Sequence, residues 1–199
     1  NLRRLEGEPI RDAALAVSGS LSSSMYGFPS TVGRQPDGEV VIQKGPNRFR
    51  RSVYIQIRRL HPQSMLEAFD QPTVSINCTK RSTSTVATQA LTLLHSDDMI
   101  QAAEDFSRRL LRETSDPSQK SVRDIVDEAV ALAFSRKPSD DEAELMSDFV
   151  IQQAKRYQDS LTEAQRAENP AEQPAKAFQR GLADLCHMII SSNEFVYLD

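Results

Sequence analysis

Apolar positions recur at helical spacing through most of the chain, and strand-like alternation is confined to a short stretch before residue 80. Leu5, Ile10, Ala13, Ala14 and Val17 form one stripe, which predicts a helix over 3–18 ended by Gly19. Pro9 suits a first turn, so the regular part of that helix starts near Glu8. Positions 50–59 alternate, with Val53, Ile55 and Ile57 on one face and Tyr54, Gln56 and Arg58 on the other, as a half-buried strand requires. Further strands are expected at 39–43, after the turn residues Pro36-Asp37-Gly38, and at 73–77, where Val74 and Ile76 share a face. Between them 62–69 suits a short helix stopped by Pro72.

The remainder reads as helices. One is capped by Ser84 or Thr85 and runs to Leu94; another starts at Ser96 or Asp97 and carries Met99, Ala103, Phe106 and Leu110; a third covers 121–135. Ser139-Asp140-Asp141-Glu142 has the form of a capping box and opens a helix to about 160, and a last helix over 175–191 leads into an extended tail at 195–198. Two stretches break the pattern. Residues 20–47 form a long loop, since Gly19 to Asn47 hold five of the seven glycines, and 161–174 form an exposed polar loop. The expected fold is therefore α+β over a single domain, 1–199. Its C-terminal half is helix-rich, and a small antiparallel or mixed sheet comes from the 39–77 region.

Composition narrows the class. A chain of 199 residues with 39% hydrophobic and 26% charged positions is that of a folded globular domain, and no apolar run approaches the roughly 20 residues of a membrane span. The opening Asn-Leu-Arg-Arg lacks a Met and an apolar signal core, so the chain reads as a fragment or a processed product. Charge is uneven: between Lys44 and Arg81 eight cations face only Glu67 and Asp70, a local +6 in a chain of net charge −4. Six of the eight are Arg, whose planar fork suits carboxylate, phosphate or sulfate. Two readings stay open: an anion site, or ion pairs to acidic helices that hold the fold together. Arg51, Tyr54, Arg59 and Arg81 are the candidate binding residues, and Glu67 and Asp70 are weak catalytic candidates for acid–base work.

Other chemistries lack their signatures. A pI near 5.5, the absence of Trp and the lack of aromatic residues interleaved with the cations speak against nucleic acid. His61, His95 and His187 stand apart from one another, so no metal site is expected, and no glycine run has phosphate-cradling spacing, so no cofactor is expected. Cys186-His187 lacks the first cysteine of a haem-attachment motif because Ala183 stands there. Cys78 continues the alternation of 73–77, and Cys186 lies on the apolar stripe of the last helix. Both thiols are expected to be buried and non-catalytic, with a bridge between them possible outside the cytoplasm.

One set of residues carries a resemblance. Arg4-Leu5-Glu6 with Ile10-Arg11-Asp12, Arg51-Ser52-Val53-Tyr54 with Arg59, Leu66-Glu67-Ala68-Phe69-Asp70 and Cys78 with Arg81 belong to it. So do Gln89-Ala90-Leu91, Arg136-Lys137-Pro138 and Asp184-Leu185-Cys186 with Ser192-Asn193-Glu194-Phe195. Together they resemble the C-terminal domain of unknown function of planctomycete secreted proteins. His95 departs from that pattern, in which Asn more often follows the two leucines. The resemblance implies an export signal, a cytochrome-c-like domain and a second uncharacterised domain upstream, and hence an extracytoplasmic place, with no reaction attached. The function expected is a non-catalytic interaction module that docks its neighbouring domain or an acidic surface partner. The alternative is an anionic polysaccharide binding or processing domain built on the Arg cluster.

Overall fold

A computed structural model describes residues 2–72, 78–112, 121–162, 170 and 172–198. Within them α1 spans Gly7–Val17, α2 Ser64–Ala68, α3 Ala87–His95, α4 Asp97–Arg112, α5 Val122–Phe134, α6 Asp140–Ser160, α7 Gln173–Ile190 and α8 Asn193–Val196. Four short strands and the 3-10 turn Ser52–Tyr54 complete the described elements, the strands being β1 Arg3–Arg4, β2 Val32–Arg34, β3 Val40–Ile42 and β4 Tyr197–Leu198. The fold is α+β and helix-rich. None of these helices is long and apolar enough to cross a membrane.

The main core takes side chains from all eight helices, from Ile10 and Ala14 on α1 through Met99 and Phe106 on α4 to Phe195 and Val196 on α8. Capping explains the sharpest helix starts. Ser139 Oγ accepts the Glu142 N–H while the Glu142 carboxylate accepts the Ser139 N–H, and Ser121 with Asp124 does the same at α5. The closest packing is between α6 and α7. Gly181 makes it possible: a Cβ there would lie 2.7 Å from the Val150 carbonyl oxygen and 2.9 Å from the Ala154 nitrogen. The 161–174 loop lies mostly outside the described residues, and α7 begins within it, with Pro174 in its first turn.

Both sheets are antiparallel pairs. β1 and β4 join the two ends of the described chain, Arg3 opposite Leu198 and Arg4 opposite Tyr197. β2 and β3 form a hairpin, Val32 opposite Ile42, across a turn in which Gly38 takes φ 96°. Val32, Val40 and Ile42 pack with Ile55 and Leu66 in a second, smaller cluster.

The strand expected at 50–59 does not form. Ser52–Tyr54 is a 3-10 turn, and only isolated parallel bridges, Ser22 with Arg50 and Ser30 with Ile55, remain of the alternation. Ile55 is buried, but Val53 and Ile57 face outward. The cause is α1, whose side chains hold the backbone here in place of a partner strand. The strand expected at 73–77 lies outside the described residues. At the C-terminus the extended tail starts later than expected, because the Ser192 hydroxyl accepts the Phe195 N–H and caps the short α8 first.

Candidate functional site

Helix α1 buries one face in the core, and Arg11 lies on that face beside Ile10, Ala14 and Leu15. The residue is only 1% exposed, so its donors depend on partners within the fold, which the two terminal nitrogens find and Nε does not among the described residues. Nη1 donates to the Arg50 carbonyl at 2.9 Å and to Ser52 Oγ at 3.2 Å, and Nη2 donates to the Arg48 carbonyl at 2.7 Å. Burial pulls its pKa down, and the charges of Asp98 and Asp12 oppose that shift. Asp12 adds to the grip: Oδ1 accepts the Ser52 N–H at 2.7 Å and Oδ2 accepts from Arg51 Nε at 3.4 Å. Arg48 is in turn held by Asp98 at 2.9 Å.

The segment so fixed presents Arg50, also 1% exposed. Its guanidinium spreads over three carbonyls of the long loop, Nε on Ser24 at 3.1 Å, Nη2 on Tyr26 at 2.7 Å and Nη1 on Phe28 at 2.7 Å. Its central carbon sits 3.9 Å from the centre of the Tyr54 ring, a stacked cation–π arrangement. Loop residues 24–28 therefore wrap one cation with their backbone oxygens. Tyr26 at φ 63° and Gly27 at φ 81° supply the consecutive left-handed conformations that the wrap uses.

The consequence is on the outside. With their backbone turned inward, Met25, Tyr26 and Phe28 project their side chains, 65%, 82% and 87% exposed. The neighbouring 53–60 segment adds exposed Val53, Ile57 and Leu60, and Arg51, Arg58 and Arg59 lie exposed among them. The surface is apolar, aromatic and cationic, with a rigid inner support.

Other residues singled out from the sequence take different places. Arg81 is gripped by carboxylates of the α1 end, Nη1 2.8 Å from Glu6 and Glu8 and Nη2 2.8 Å from Glu8. The Arg81 hydrogen bond holds the Glu8 carboxyl below its usual range. Glu8 and Asp12 are one turn apart, so Arg81 and Arg51 dock along a single stripe of α1. Arg59 has no ion pair among the described residues. Glu67 is exposed on α2. Asp70, in a left-handed conformation at φ 62°, accepts from Ser84 N at 2.8 Å, Ser84 Oγ at 2.8 Å and Arg4 Nη2 at 2.6 Å. The Ser84 backbone N–H is the first of the causes that lower its pKa, the opposite of the shift a general acid needs near neutral pH.

Among the described residues no cluster of three or more His, Cys, Asp and Glu is arranged to hold a metal. Both cysteines are free. Cys186 is buried as expected, and burial pushes its thiol pKa well up. Cys78 corrects the expectation: it is exposed, its Sγ 3.2 Å from the Lys80 carbonyl. Reading the chain as pattern also missed the role of Arg11. Its signal was an arginine on the apolar stripe of an amphipathic helix, a position that forces a buried partner set.

Fold and surface together define a helix-rich α+β domain organised around an arginine-anchored surface loop. A family model described as a protein of unknown function (DUF1553) matches residues 1–150, and the chain belongs to that family. No curated protein and no solved structure matches it. The match ends inside α6, and α7, beyond it, supplies the helix that packs against α6.

Proposed function

We propose that the domain is a non-catalytic interaction module of a larger exported protein, and that it docks a neighbouring domain of the same polypeptide through the face carrying Met25, Tyr26 and Phe28. The single observation that carries this reading is the Arg50 guanidinium buried against three loop carbonyls. A loop meant only to connect elements has no need of a buried cation to hold its apolar side chains outward. Interface cores are enriched in aromatic residues, Met and Arg, the combination this face exposes. Three large apolar side chains exposed within four residues of one loop are the kind of surface that a partner covers. Arg58 and Arg59 at its border favour acidic surface on the partner. The exported setting rests on the sequence resemblance.

The alternative, an anionic polysaccharide site on Arg51, Tyr54, Arg59 and Arg81, has weaker support. Arg51 and Arg81 are already matched to α1 carboxylates, and the Tyr54 face is covered by Arg50. A photo-reactive benzoylphenylalanine at position 28 of the full-length polypeptide tests the docking reading. Adducts to residues outside the 199 are expected; adducts confined to them would refute it.

A further inference from the structure

At a different part of the molecule, α4, α6 and α7 leave an open cleft of about 710 Å³. Its polar lining includes Arg108, Tyr157, Lys176, Arg180, Asp184 and His187, none of which the docking face uses. The α7 residues follow from its register: Lys176, Arg180, Asp184 and His187 fall on one stripe, while Ala177, Gly181, Leu182 and Leu185 take the buried side. The close approach at Gly181 brings α6 near enough for the Tyr157 hydroxyl to reach Asp184, 3.1 Å from Oδ2 and 3.3 Å from Oδ1.

Asp184 makes no ion pair within 4 Å among the described residues, and its one hydrogen-bonding partner there is that neutral hydroxyl. Arg180 lies over the Tyr157 ring at 5.6 Å and likewise has no carboxylate partner among them. His187 turns Nε2 to the Leu93 carbonyl at 3.0 Å, so that nitrogen carries the hydrogen and the ring is held in place. Lys176 pairs with Glu172 and Arg108 with Asp105. The cleft thus holds a carboxylate with spare acceptor capacity and a guanidinium with spare donors, one helical turn apart.

We propose that this cleft binds a small hydroxylated carboxylate of the sugar-acid class, its carboxylate on the Arg180 fork and a hydroxyl donating to Asp184. A guanidinium matches a carboxylate with two parallel hydrogen bonds, and a half-buried carboxylate accepts from sugar hydroxyls. Pockets of 300–1,000 Å³ are of the size that holds small ligands. Two charged groups without an ion-pair partner among the described residues disfavour a purely apolar ligand. Burial raises the Asp184 pKa, so its ionised form is less favoured in this cleft than in water.

The test is a titration of the 15N-labelled chain with digalacturonate, followed by amide shifts, with inorganic phosphate and the neutral disaccharide lactose as comparisons. Digalacturonate is expected to shift the Arg180, Asp184 and His187 amides, and D184N and R180Q are each expected to weaken its binding at least tenfold. Because D184N removes a charge the fold disfavours, that variant should melt no lower than the parent at pH 7, which separates lost binding from lost folding. Absence of digalacturonate binding, equal binding by phosphate or lactose, or binding unaffected by D184N and R180Q would each overturn the proposal. None of these outcomes bears on the docking face.

Discussion

Arg50 spends its guanidinium on backbone oxygens and an aromatic ring, and Arg11 spends its own on the backbone that carries Arg50. The two cations are linked in series, from helix to segment to loop. Replacing Arg50 with Met keeps an unbranched apolar stem but leaves the carbonyls of Ser24, Tyr26 and Phe28 without that donor. The expected loss is about 3 kcal/mol in denaturant unfolding, in the range for breaking hydrogen bonds to a buried charge. Amide exchange over 22–30 should accelerate in the same variant, and an unchanged exchange rate there would remove the anchoring role. Asp70 gives a second residue-level expectation. Its folded pKa lies below its unfolded value, so its contribution is present above about pH 4 and is lost as pH falls through the folded value. Asn tolerates the left-handed backbone that Asp70 adopts, so D70N isolates the charge. The parent should exceed D70N by about 1 kcal/mol from pH 5 to 7, with the gap closing below pH 4. A gap that is independent of pH would contradict the charge role.

Elements were legible where the signal is local. The capping boxes at Ser121 and Ser139 and the apolar stripes of α4 and α7 are properties of neighbouring residues, and the structure places those helices within a residue or two of expectation. The 50–59 strand failed because its partner is not local. Alternation states that one face is buried, yet it cannot state whether a strand or the side chains of Arg11 and Asp12 will satisfy the backbone. At α3 a related competition was invisible: Ser84 gives its hydroxyl and amide to Asp70, so Val86 takes the N-cap position. The Asp184 and Tyr157 pair was missed for the same reason, since 27 positions separate them and only the α6–α7 approach joins them. The cysteines separate cleanly at this scale. Cys186 sits inside α7 and Cys78 outside any helix or strand, so a thiol reagent should modify Cys78 in the native chain and Cys186 only after denaturation. Equal reactivity of both in native protein would contradict the packing of α7.

At the scale of the molecule, the +6 segment divides: Arg81 pairs with Glu6 and Glu8 at the start of α1, and the other arginines take two roles. Arg11, from the acidic part of the chain, and Arg48 and Arg50, from the basic segment, work inside the fold, whereas Arg51, Arg58 and Arg59 stay at the surface beside the apolar loop side chains. Clustered arginines in the sequence therefore build and border one face, and sequence counting alone could not divide them. The central claim is that this face is covered in the full-length polypeptide. Hydroxyl-radical footprinting of that polypeptide tests it most directly, because the domain carries its own reference: Met25 is 65% exposed and Met188, on α7, is 54% exposed. Docking predicts that Met25 is oxidised several-fold more slowly than Met188. Oxidation of Met25 as fast as Met188, or faster, would contradict it.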